Sequence, residues 1–306
     1  MLRGARALVR RAAARILRRL AAETLASPYV AAKLLPFRPG RAAGYIIPPP
    51  GGWGATTTSA DGLAVPPAEL WLGYADTPED YLEGGRRDVA TMLDILQQGG
   101  AAPHALRRVL DFGCGAGRML RWIPRGGGDG GGESELWGVD ISAAHIAWCQ
   151  QHLNPPLLFA TTTTAPHLPF EDNYFDLVYC SSVFTHISDL TDAWFLELRR
   201  VLRKGGYAYI TIHDRHTVEW LFAKDKNREG WAGLRDLVRH FDEQTSVLSQ
   251  NYATFSIGTD PASQVFYDAD CLLRRWSRLA KVLSVTPEAH DHQTALLLQK
   301  EPVAGV

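Results

Sequence analysis

The feature that most constrains how this 306-residue chain can fold is an apolar stretch that runs into three glycines at alternate positions. Residues 109–118 read Val-Leu-Asp-Phe-Gly-Cys-Gly-Ala-Gly-Arg, and they predict a strand over residues 107–112. The apolar residues that follow at helical spacing predict a helix directly after the glycines (Met119, Leu120, Trp122, Ile123). Glycines at a strand-to-helix turn let the backbone bend tightly and approach a ligand closely, because no Cβ stands in the way. A purely structural turn is the alternative interpretation.

Two carboxylates favour the ligand-binding interpretation. Asp111 comes just before the first glycine, and Asp140 follows a second apolar segment at residues 136–139. Open α/β sheets bind ligands at the carboxyl ends of their strands, and both side chains fall at such ends. A carboxylate at the end of the second strand can accept hydrogen bonds from both hydroxyls of a ribose. The pattern therefore indicates a nucleoside site.

Residues 109–118 resemble the nucleoside-binding motif of the class I S-adenosylmethionine-dependent methyltransferases. The resemblance continues in the order that the family has. Leu168-Pro169-Phe170 and residues 175–184 are similar to its fourth-strand region, and residues 197–206 are similar to the helix and turn before its fifth strand. The resemblance covers roughly residues 81–300. It implies a Rossmann-like sheet of seven strands in the order 3-2-1-4-5-7-6, with the seventh strand antiparallel.

The residues themselves predict a doubly wound, mostly parallel α/β sheet, because strand and helix patterns alternate along the chain. Strands are predicted at residues 155–159, 175–180, 207–212, 281–285 and 294–298, and helices at residues 77–98, 143–152, 190–202 and 268–279. Thr77 and Ser142 precede two of these helices as capping residues, and Gly205-Gly206 closes the third. Residues 214–265 interrupt the alternation, and we interpret them as an insertion over the active site.

Three segments are predicted along the chain: a basic amphipathic helix within residues 1–35, a wrapping segment rich in proline and glycine at 36–76, and a methyltransferase domain at 77–301. Residues 1–42 carry a net charge of +9, and the remainder carries −10. The basic helix has three interpretations: an element that contacts an anionic membrane surface through residues 1–25, a targeting peptide, or an added helix without a specific partner.

The resemblance implies S-adenosylmethionine as the cofactor, with contacts from several strand ends. The implied cofactor residues are Asp111, Gly113, Cys114, Gly115, Gly117, Asp140, Ile141, Thr164, Ala165 and Ser181. In this set Asp140 binds the ribose, Ile141 packs on the adenine, and Asp111 orients the ammonium group. The family often carries Asp or Asn where this chain has Thr164, so the contact to the adenine amine is weaker here.

Methyl transfer from a sulfonium needs a positioned nucleophile and, for some acceptors, a group that removes its proton. Candidate bases are His186, after the fourth strand, and His213, Asp214 and His216, after the fifth. Histidine suits this role because its pKa lies near neutrality. His186 is alternatively a helix-packing residue, and the remaining histidines are treated as incidental.

Composition and motifs narrow the function further. The four cysteines show no Cys-x-x-Cys spacing and no zinc-ligand pattern with histidine, so no metal is predicted. Such cysteine usage, with no membrane-spanning run, indicates a reduced, cytoplasmic chain that could contact a membrane surface peripherally. A net charge of −1 and Cys180-Ser181-Ser182-Val183 at the fourth-strand end, where base-methylating enzymes carry Asn/Asp-Pro-Pro-Tyr, argue against a nucleic-acid substrate.

The sequence therefore predicts transfer of a methyl group to a small-molecule acceptor through oxygen, nitrogen or carbon. Two alternatives stay open: a nicotinamide-dependent dehydrogenase and a non-catalytic cofactor-binding protein. The dehydrogenase fingerprint Gly-x-Gly-x-x-Gly requires glycine where this chain has Arg118. Acceptor identity and oligomeric state are left open.

Overall fold

A single seven-stranded sheet organises the fold in the computed structural model, which describes Trp53 and residues 57–125, 134–223, 229–258 and 263–301. The strands are β1 (Arg108–Phe112), β2 (Glu135–Asp140), β3 (Leu158–Thr161), β4 (Phe175–Cys180), β5 (Leu202–Ile212), β6 (Thr254–Ile257), β7 (Gln264–Tyr267), β8 (Lys281–His290) and β9 (Gln293–Gln299). The large sheet has the order β3-β2-β1-β4-β5-β9-β8, and β6 and β7 form a separate pair. Strand β9 runs antiparallel to β5 and β8, whereas the other neighbours in the large sheet are parallel. The predicted fold class and strand order are confirmed.

Helices cover both faces of this sheet. They are α1 (Pro78–Gln98), α2 (Ala143–His152), α3 (Thr191–Val201), α4 (Arg215–Phe222), α5 (Ala232–Thr245) and α6 (Ala269–Trp276). Successive strand residues point to opposite faces. Thus Leu177 packs in one core with residues of α1 and α2. Val178 packs in a second core with residues of α3 and α6. Burial on both faces explains the nearly continuous apolar run of β4.

The insertion forms a small unit with its own apolar core. That core contains Leu221, Val238, Phe255, Ile257 and Phe266, contributed by α4, α5 and the β6–β7 pair. The pair adjoins the large sheet at the end of β5, where the Tyr267 N–H donates to the His213 carbonyl at 2.8 Å. This contact places the insertion next to the carboxyl ends of the strands.

The structure corrects the helix predicted after the glycines, since only a single 3-10 turn forms there (Leu120–Trp122). Gly117 has φ of +76°, and Ile123 is extended before Pro124. Only six residues remain between the left-handed glycine and the proline. Such a length is too short for a stable α-helix, and a residue before proline disfavours helical geometry.

Three smaller expectations also change. Strand β3 begins at Leu158 rather than at Pro155, because proline has no N–H to donate to a ladder. Helix α3 ends at Val201, so Gly205 and Gly206 lie within β5 instead of closing the helix. The Ser142 hydroxyl does not cap α2 but lies 2.7 Å from Nδ1 of His145.

The predicted basic helix lies outside the described residues, as does most of the wrapping segment before residue 57. In the described part of that segment, the Trp71 indole is buried and donates to the Pro66 carbonyl at 2.8 Å. The described residues include no helix with the length and apolar character needed to span a bilayer.

A buried arginine fixes the wrapping segment to the turn after the glycines. The Arg121 side chain is 0% exposed, and its Nε donates to Asp61 Oδ2 at 2.7 Å. Its other nitrogens donate to the carbonyls of Ala64 and Leu63 and to the Ser59 hydroxyl. Although burial opposes ionisation, the hydrogen bonds from Arg121 and Ser59 lower the pKa of Asp61 to about 2.

Replacing this arginine should destabilise the chain strongly. Arg121→Met removes the cation that pairs with Asp61 and the side-chain donor of the Ala64 carbonyl. Breaking such a buried pair costs about 3 kcal/mol of unfolding free energy. Urea denaturation at pH 7 measures this loss, with Arg87→Met, whose side chain is 63% exposed, as the control that changes little. Because the folded pKa of Asp61 is depressed, the stabilisation is present above pH 4 and is lost as pH falls through about 2. A loss below about 1 kcal/mol would contradict this account.

Candidate active site

A cavity of about 990 Å³ opens at the carboxyl ends of β1, β2, β4 and β5. The sequence-predicted residues that line it are Asp111, Gly113, Cys114, Gly115, Asp140, Ile141, Thr164, Ser181, His186 and His213. Gly117, Ala165 and His216 were also predicted for the site but are not among the lining residues. The glycine turn thus lies beside the ends of the neighbouring strands, where an open α/β sheet binds its ligand.

The three glycines after β1 have different physical reasons for being glycine. Gly113 has φ of +85°, and a Cβ there would lie 2.3 Å from Cγ2 of Val183, so the loop packs directly on the β4 end. A Cβ at Gly115 would meet only Leu72 at 3.6 Å, which leaves space for a ligand. Gly117 has φ of +76° and faces Leu153 after α2, away from the cavity. The role of Gly117 is therefore packing in a left-handed turn.

Between these glycines, Cys114 is buried at the cavity wall. Burial raises the pKa of its thiol well above the usual range, and the neighbouring Cys149 thiol adds to the rise. Neutral Cys114 therefore behaves as a small apolar wall residue at neutral pH.

Asp140 is held in place by two backbone donors. Its Oδ2 accepts from the Gly115 N–H at 2.9 Å, and its Oδ1 accepts from the Ser142 N–H at 2.7 Å. A carboxylate has about four lone-pair positions, so two remain for hydroxyl donors of a ligand. The same carboxylate thereby connects the glycine turn to the end of β2.

The β4 end carries a strained residue within a closed hydrogen-bond network. Ser182 has φ of +58°, and its N–H donates to Thr211 Oγ1 at 2.8 Å. The Thr211 hydroxyl donates to Gln293 Oε1 at 2.7 Å, and Gln293 Nε2 donates to the Ser182 hydroxyl. The preceding Ser181 also lines the cavity, and its buried hydroxyl has no hydrogen-bond partner in the described part of the chain. An orphaned hydroxyl at this position fits a site that a polar ligand completes.

Asp111 and Arg118 are an acidic and a basic residue that both line the cavity. Burial raises the pKa of Asp111 to about 7, although the Tyr179 hydroxyl opposes this shift. Arg118 is 8% exposed, and its Nη2 lies 2.7 Å from Asp88 Oδ2 while its guanidinium lies 4.3 Å from the ring centre of Tyr74. Sequence reasoning used Arg118 only against the dehydrogenase alternative and missed its position in the cavity.

His213 lies deep in the cavity wall at the end of β5. It is 2% exposed, and its Nε2 lies 3.0 Å from Nε2 of His292, which follows β8. Burial, the main cause, and the neighbouring imidazoles lower the pKa of His213 well below its usual value. Burial also lowers the pKa of His292 to about 4. Both rings are therefore neutral at pH 7.

Two of the histidines treated as incidental thus belong to the cavity, His290 and His292, and both line it beside Gln293. Their sequence signal was a His-Asp-His run between two predicted strands. Within the described residues, no group of histidine, cysteine or acidic side chains is placed to hold a metal ion.

The remaining candidate bases occupy different surroundings. His186 lines the cavity, and its Nδ1 lies 2.6 Å from the Ser263 carbonyl oxygen. The His216 side chain lies on α4 outside the cavity, 34% exposed, with its Nε2 3.2 Å from Glu288 Oε1. Asp214 caps α4 by accepting from the Thr217 N–H at 3.0 Å, which turns buried Thr217 inward and His216 outward. Among the candidate bases, His186 and His213 therefore line the cavity, whereas Asp214 and His216 do not.

Comparison with known proteins assigns this chain to a protein family. Residues 110–210 match a family model described as a methyltransferase domain. The chain is 30% identical over 192 residues to the ubiquinone/menaquinone biosynthesis C-methyltransferase UbiE of Cupriavidus pinatubonensis, covering 56% of this chain and 75% of that protein. The chain belongs to the class I S-adenosylmethionine-dependent methyltransferases. The predicted family and its cofactor, S-adenosylmethionine, are thereby confirmed.

Two further proteins show how far the similarity extends along this chain. A probable phthiotriol/phenolphthiotriol dimycocerosates methyltransferase of Mycobacterium ulcerans is 31% identical over 157 residues, covering 51% of this chain and 55% of that protein. A solved methyltransferase structure from Aquifex aeolicus aligns with a TM-score of 0.43 at 14% identity, covering 68% of this chain and 88% of that one. The chain spans about half the length of the first curated relatives, 55% and 49%.

Proposed function

We propose that this methyltransferase transfers a methyl group from S-adenosylmethionine to an apolar small-molecule acceptor bound in the same cavity. The observation that carries the proposal is where the exposed apolar side chains lie. The described residues include seven large apolar side chains that are clearly exposed. Five of them line this cavity: Leu72, Tyr74, Ile141, Leu190 and Leu237. Exposed apolar groups gathered at one opening mark a site for an apolar ligand.

The size of the cavity supports two ligands. Ligand pockets typically occupy about 300–1,000 Å³. At about 990 Å³, this cavity is large enough for a nucleoside cofactor and an acceptor side by side. The insertion supplies one apolar wall through Trp231, Leu234 and Leu237 of the segment around α5. These three residues lie far along the chain from the glycine turn, and they belong to no part of the family motif.

The charged residues of the cavity indicate which end of it binds the cofactor. In the proposal, the two ribose hydroxyls donate to the free lone pairs of Asp140. Asp111 accepts from the cofactor's ammonium group, and the Arg118 guanidinium holds its carboxylate. Ile141, which is 48% exposed, supplies an apolar surface for the adenine, and Thr164 lies on the same wall. When bound, the cofactor supplies an electrophilic methyl group on a positively charged sulfur.

The names of the relatives support an apolar acceptor. The two relatives described above are named for phthiotriol and phenolphthiotriol dimycocerosates and for ubiquinone and menaquinone biosynthesis. A fatty-acid O-methyltransferase of Mycolicibacterium smegmatis is 31% identical over 116 residues, 37% of this chain and 40% of that protein. We infer the same general acceptor class for this chain. Family membership disfavours the dehydrogenase alternative, and an assay of turnover separates an enzyme from a non-catalytic binding protein.

Cofactor affinity should depend on pH through Asp111. The ammonium group of S-adenosylmethionine requires the ionised carboxylate, and burial raises the pKa of Asp111 to about 7. As pH falls below that value, the carboxylate takes up a proton that cofactor binding must release. Affinity should therefore fall roughly tenfold or more between pH 7.5 and pH 5.5. Calorimetric titration measures this profile, which Asp111→Asn should flatten. A flat profile for the native chain would exclude this role of Asp111.

A labelling experiment tests the acceptor class. The full chain is incubated with S-adenosylmethionine labelled at its methyl group and with two matched panels of acceptors. One panel holds long-chain alkylphenols, fatty acids and isoprenoid quinols, and the other holds their short-chain, water-soluble counterparts. We expect label in the long-chain products. Label confined to the short-chain panel would contradict the apolar acceptor, and no transfer to either panel would contradict both parts of the proposal.

A further inference from the structure

Helix α1 contains two adjacent glycines, Gly84 and Gly85, that helix formation alone does not explain. Glycine inside a helix is less favourable than alanine, because its backbone loses more conformational freedom on folding. A Cβ at Gly85 would lie 2.3 Å from the Arg118 carbonyl oxygen and 3.0 Å from Arg118 Cγ. Because Gly85 has no side chain, α1 packs directly against Arg118, the residue that follows the last glycine of the turn after β1.

Asp88 lies on the same face of α1, three residues after Gly85, and pairs with the guanidinium of Arg118. Asp88 Oδ2 lies 2.7 Å from Arg118 Nη2, and the two side chains are 8% and 10% exposed. A buried charge is costly unless an opposite charge pairs with it. Asp88 therefore stabilises the guanidinium at this position independently of any ligand.

Two rings limit the remaining freedom of the Asp88–Arg118 pair. The Arg118 guanidinium lies 4.3 Å from the ring centre of Tyr74, which is a cation–π contact. His290 Nδ1 lies 3.4 Å from the same Asp88 oxygen, Oδ2. Burial lowers the pKa of His290, although Asp88 opposes this shift. His290 is therefore neutral at pH 7, and Arg118 is the cation that pairs with Asp88.

Arg118 lines the cavity, whereas Gly85 and Asp88 are not among the lining residues. A guanidinium has its N–H donors in one rigid plane, and those that do not face Asp88 can bind a carboxylate. We propose that Gly85 and Asp88 are positioning residues that fix Arg118 for the carboxylate of the cofactor's amino-acid end. The site thereby selects ligands that carry this carboxylate. This inference rests on the proposed function and adds to it two residues that act from outside the cavity.

Charge and position act in opposite directions at Asp88, which makes the sign of its effect informative. Removing its negative charge would by itself strengthen the attraction between Arg118 and a ligand carboxylate. Removing the partner that fixes the guanidinium would weaken ligand binding, because a mobile arginine must be ordered when the ligand binds. Asp88→Asn keeps the shape of the side chain and loses its charge. A decrease in carboxylate binding in this variant therefore identifies a positioning role.

Two matched ligands test the inference on the full chain. S-adenosylhomocysteine carries the amino-acid carboxylate, and its decarboxylated analogue has a hydrogen in that place. Calorimetric titration of the native chain should give at least about tenfold tighter binding of S-adenosylhomocysteine. Gly85→Ala and Asp88→Asn should each reduce this preference to within about threefold, and Arg118→Met should reduce it to within about twofold. Because both affinities are measured in the same variant, a general loss of stability does not imitate the effect.

The neighbouring glycine provides the matched control. A Cβ at Gly84 would lie 3.5 Å from Arg118 Nη1, which is an ordinary contact distance, so Gly84→Ala should retain the native preference. A double variant tests whether Asp88 acts through Arg118. When Asp88→Asn is added to Arg118→Met, the preference should fall no further, because the two residues act as one unit.

The outcomes separate this inference from the proposed function. Native preference in folded Gly85→Ala or in Asp88→Asn would overturn the inference, as would a preference that rises in Asp88→Asn. Equal affinity of the native chain for the two ligands would also overturn it. If Gly85→Ala does not fold, Asp88→Asn decides the matter by itself. Failure of the native chain to bind either ligand would instead overturn the proposed function.

Discussion

Asp140→Ala is expected to weaken the binding of S-adenosylmethionine at least tenfold. Each hydrogen bond from a ribose hydroxyl to a carboxylate contributes about 1.5–3 kcal/mol, and 1.4 kcal/mol is a factor of ten in affinity. The loss should exceed that of the two ribose contacts alone. The same carboxylate accepts from the Gly115 and Ser142 N–H groups, at 2.9 and 2.7 Å, so its removal also releases the glycine turn.

Calorimetry on the purified variant measures this effect, with thermal unfolding to show that it is folded. Asp94→Ala, on the exposed face of α1, is the matched control and should bind the cofactor as the native chain does. Asp140→Asn should fall between the two, because an amide can accept through only one of its two terminal atoms. Native affinity in folded Asp140→Ala would remove Asp140 from the cofactor site.

Gly113→Ala should reduce both stability and cofactor affinity. The residue has φ of +85°, which L-residues other than glycine adopt at a cost of about 1–2 kcal/mol. A Cβ would also lie 2.3 Å from Cγ2 of Val183, and overpacking of this kind costs a further 1–3 kcal/mol, roughly. Relief of the clash requires the glycine turn to move away from the β4 end. Since that turn forms the floor of the cavity, affinity should fall by about tenfold or more.

Two variants separate the causes of this loss. Gly100→Ala has nearly the same backbone strain, with φ of +89°, but its Cβ would have nothing within 4 Å. It should therefore lose about 1 kcal/mol of stability and retain native cofactor affinity. Val183→Ala added to Gly113→Ala removes the clashing methyl groups and should restore much of the affinity. Native cofactor affinity in the Gly113→Ala variant would show that cofactor binding does not depend on the present position of the glycine turn.

The large sheet and the start of α1 follow from local patterns in the sequence. Short apolar runs that alternate with helix patterns specify the parallel strands. The Thr77 hydroxyl caps α1 by accepting from the Asp80 N–H at 3.1 Å, as its position predicts. Strand β4 begins and ends where its apolar run does. These elements depend on residues close together in the chain, so their positions can be predicted from the chain alone.

The acceptor side of the cavity depends on contacts between distant segments. His213 and His292 meet only because β9 inserts antiparallel beside β5, and no local pattern pairs histidines 79 residues apart. Arg118 similarly pairs with Asp88 across 30 residues. The orientation of His216 depended on the capping contact of Asp214, which turned a predicted base away from the cavity. Side-chain roles of this kind require the folded arrangement.

The most direct test of the central claim is calorimetric titration of the full native chain with S-adenosylmethionine and, separately, with NAD⁺. The proposed site predicts saturable binding of one S-adenosylmethionine per chain, which Asp140→Ala weakens at least tenfold, and no saturable binding of NAD⁺. Saturable binding of NAD⁺ together with no binding of S-adenosylmethionine would contradict the account.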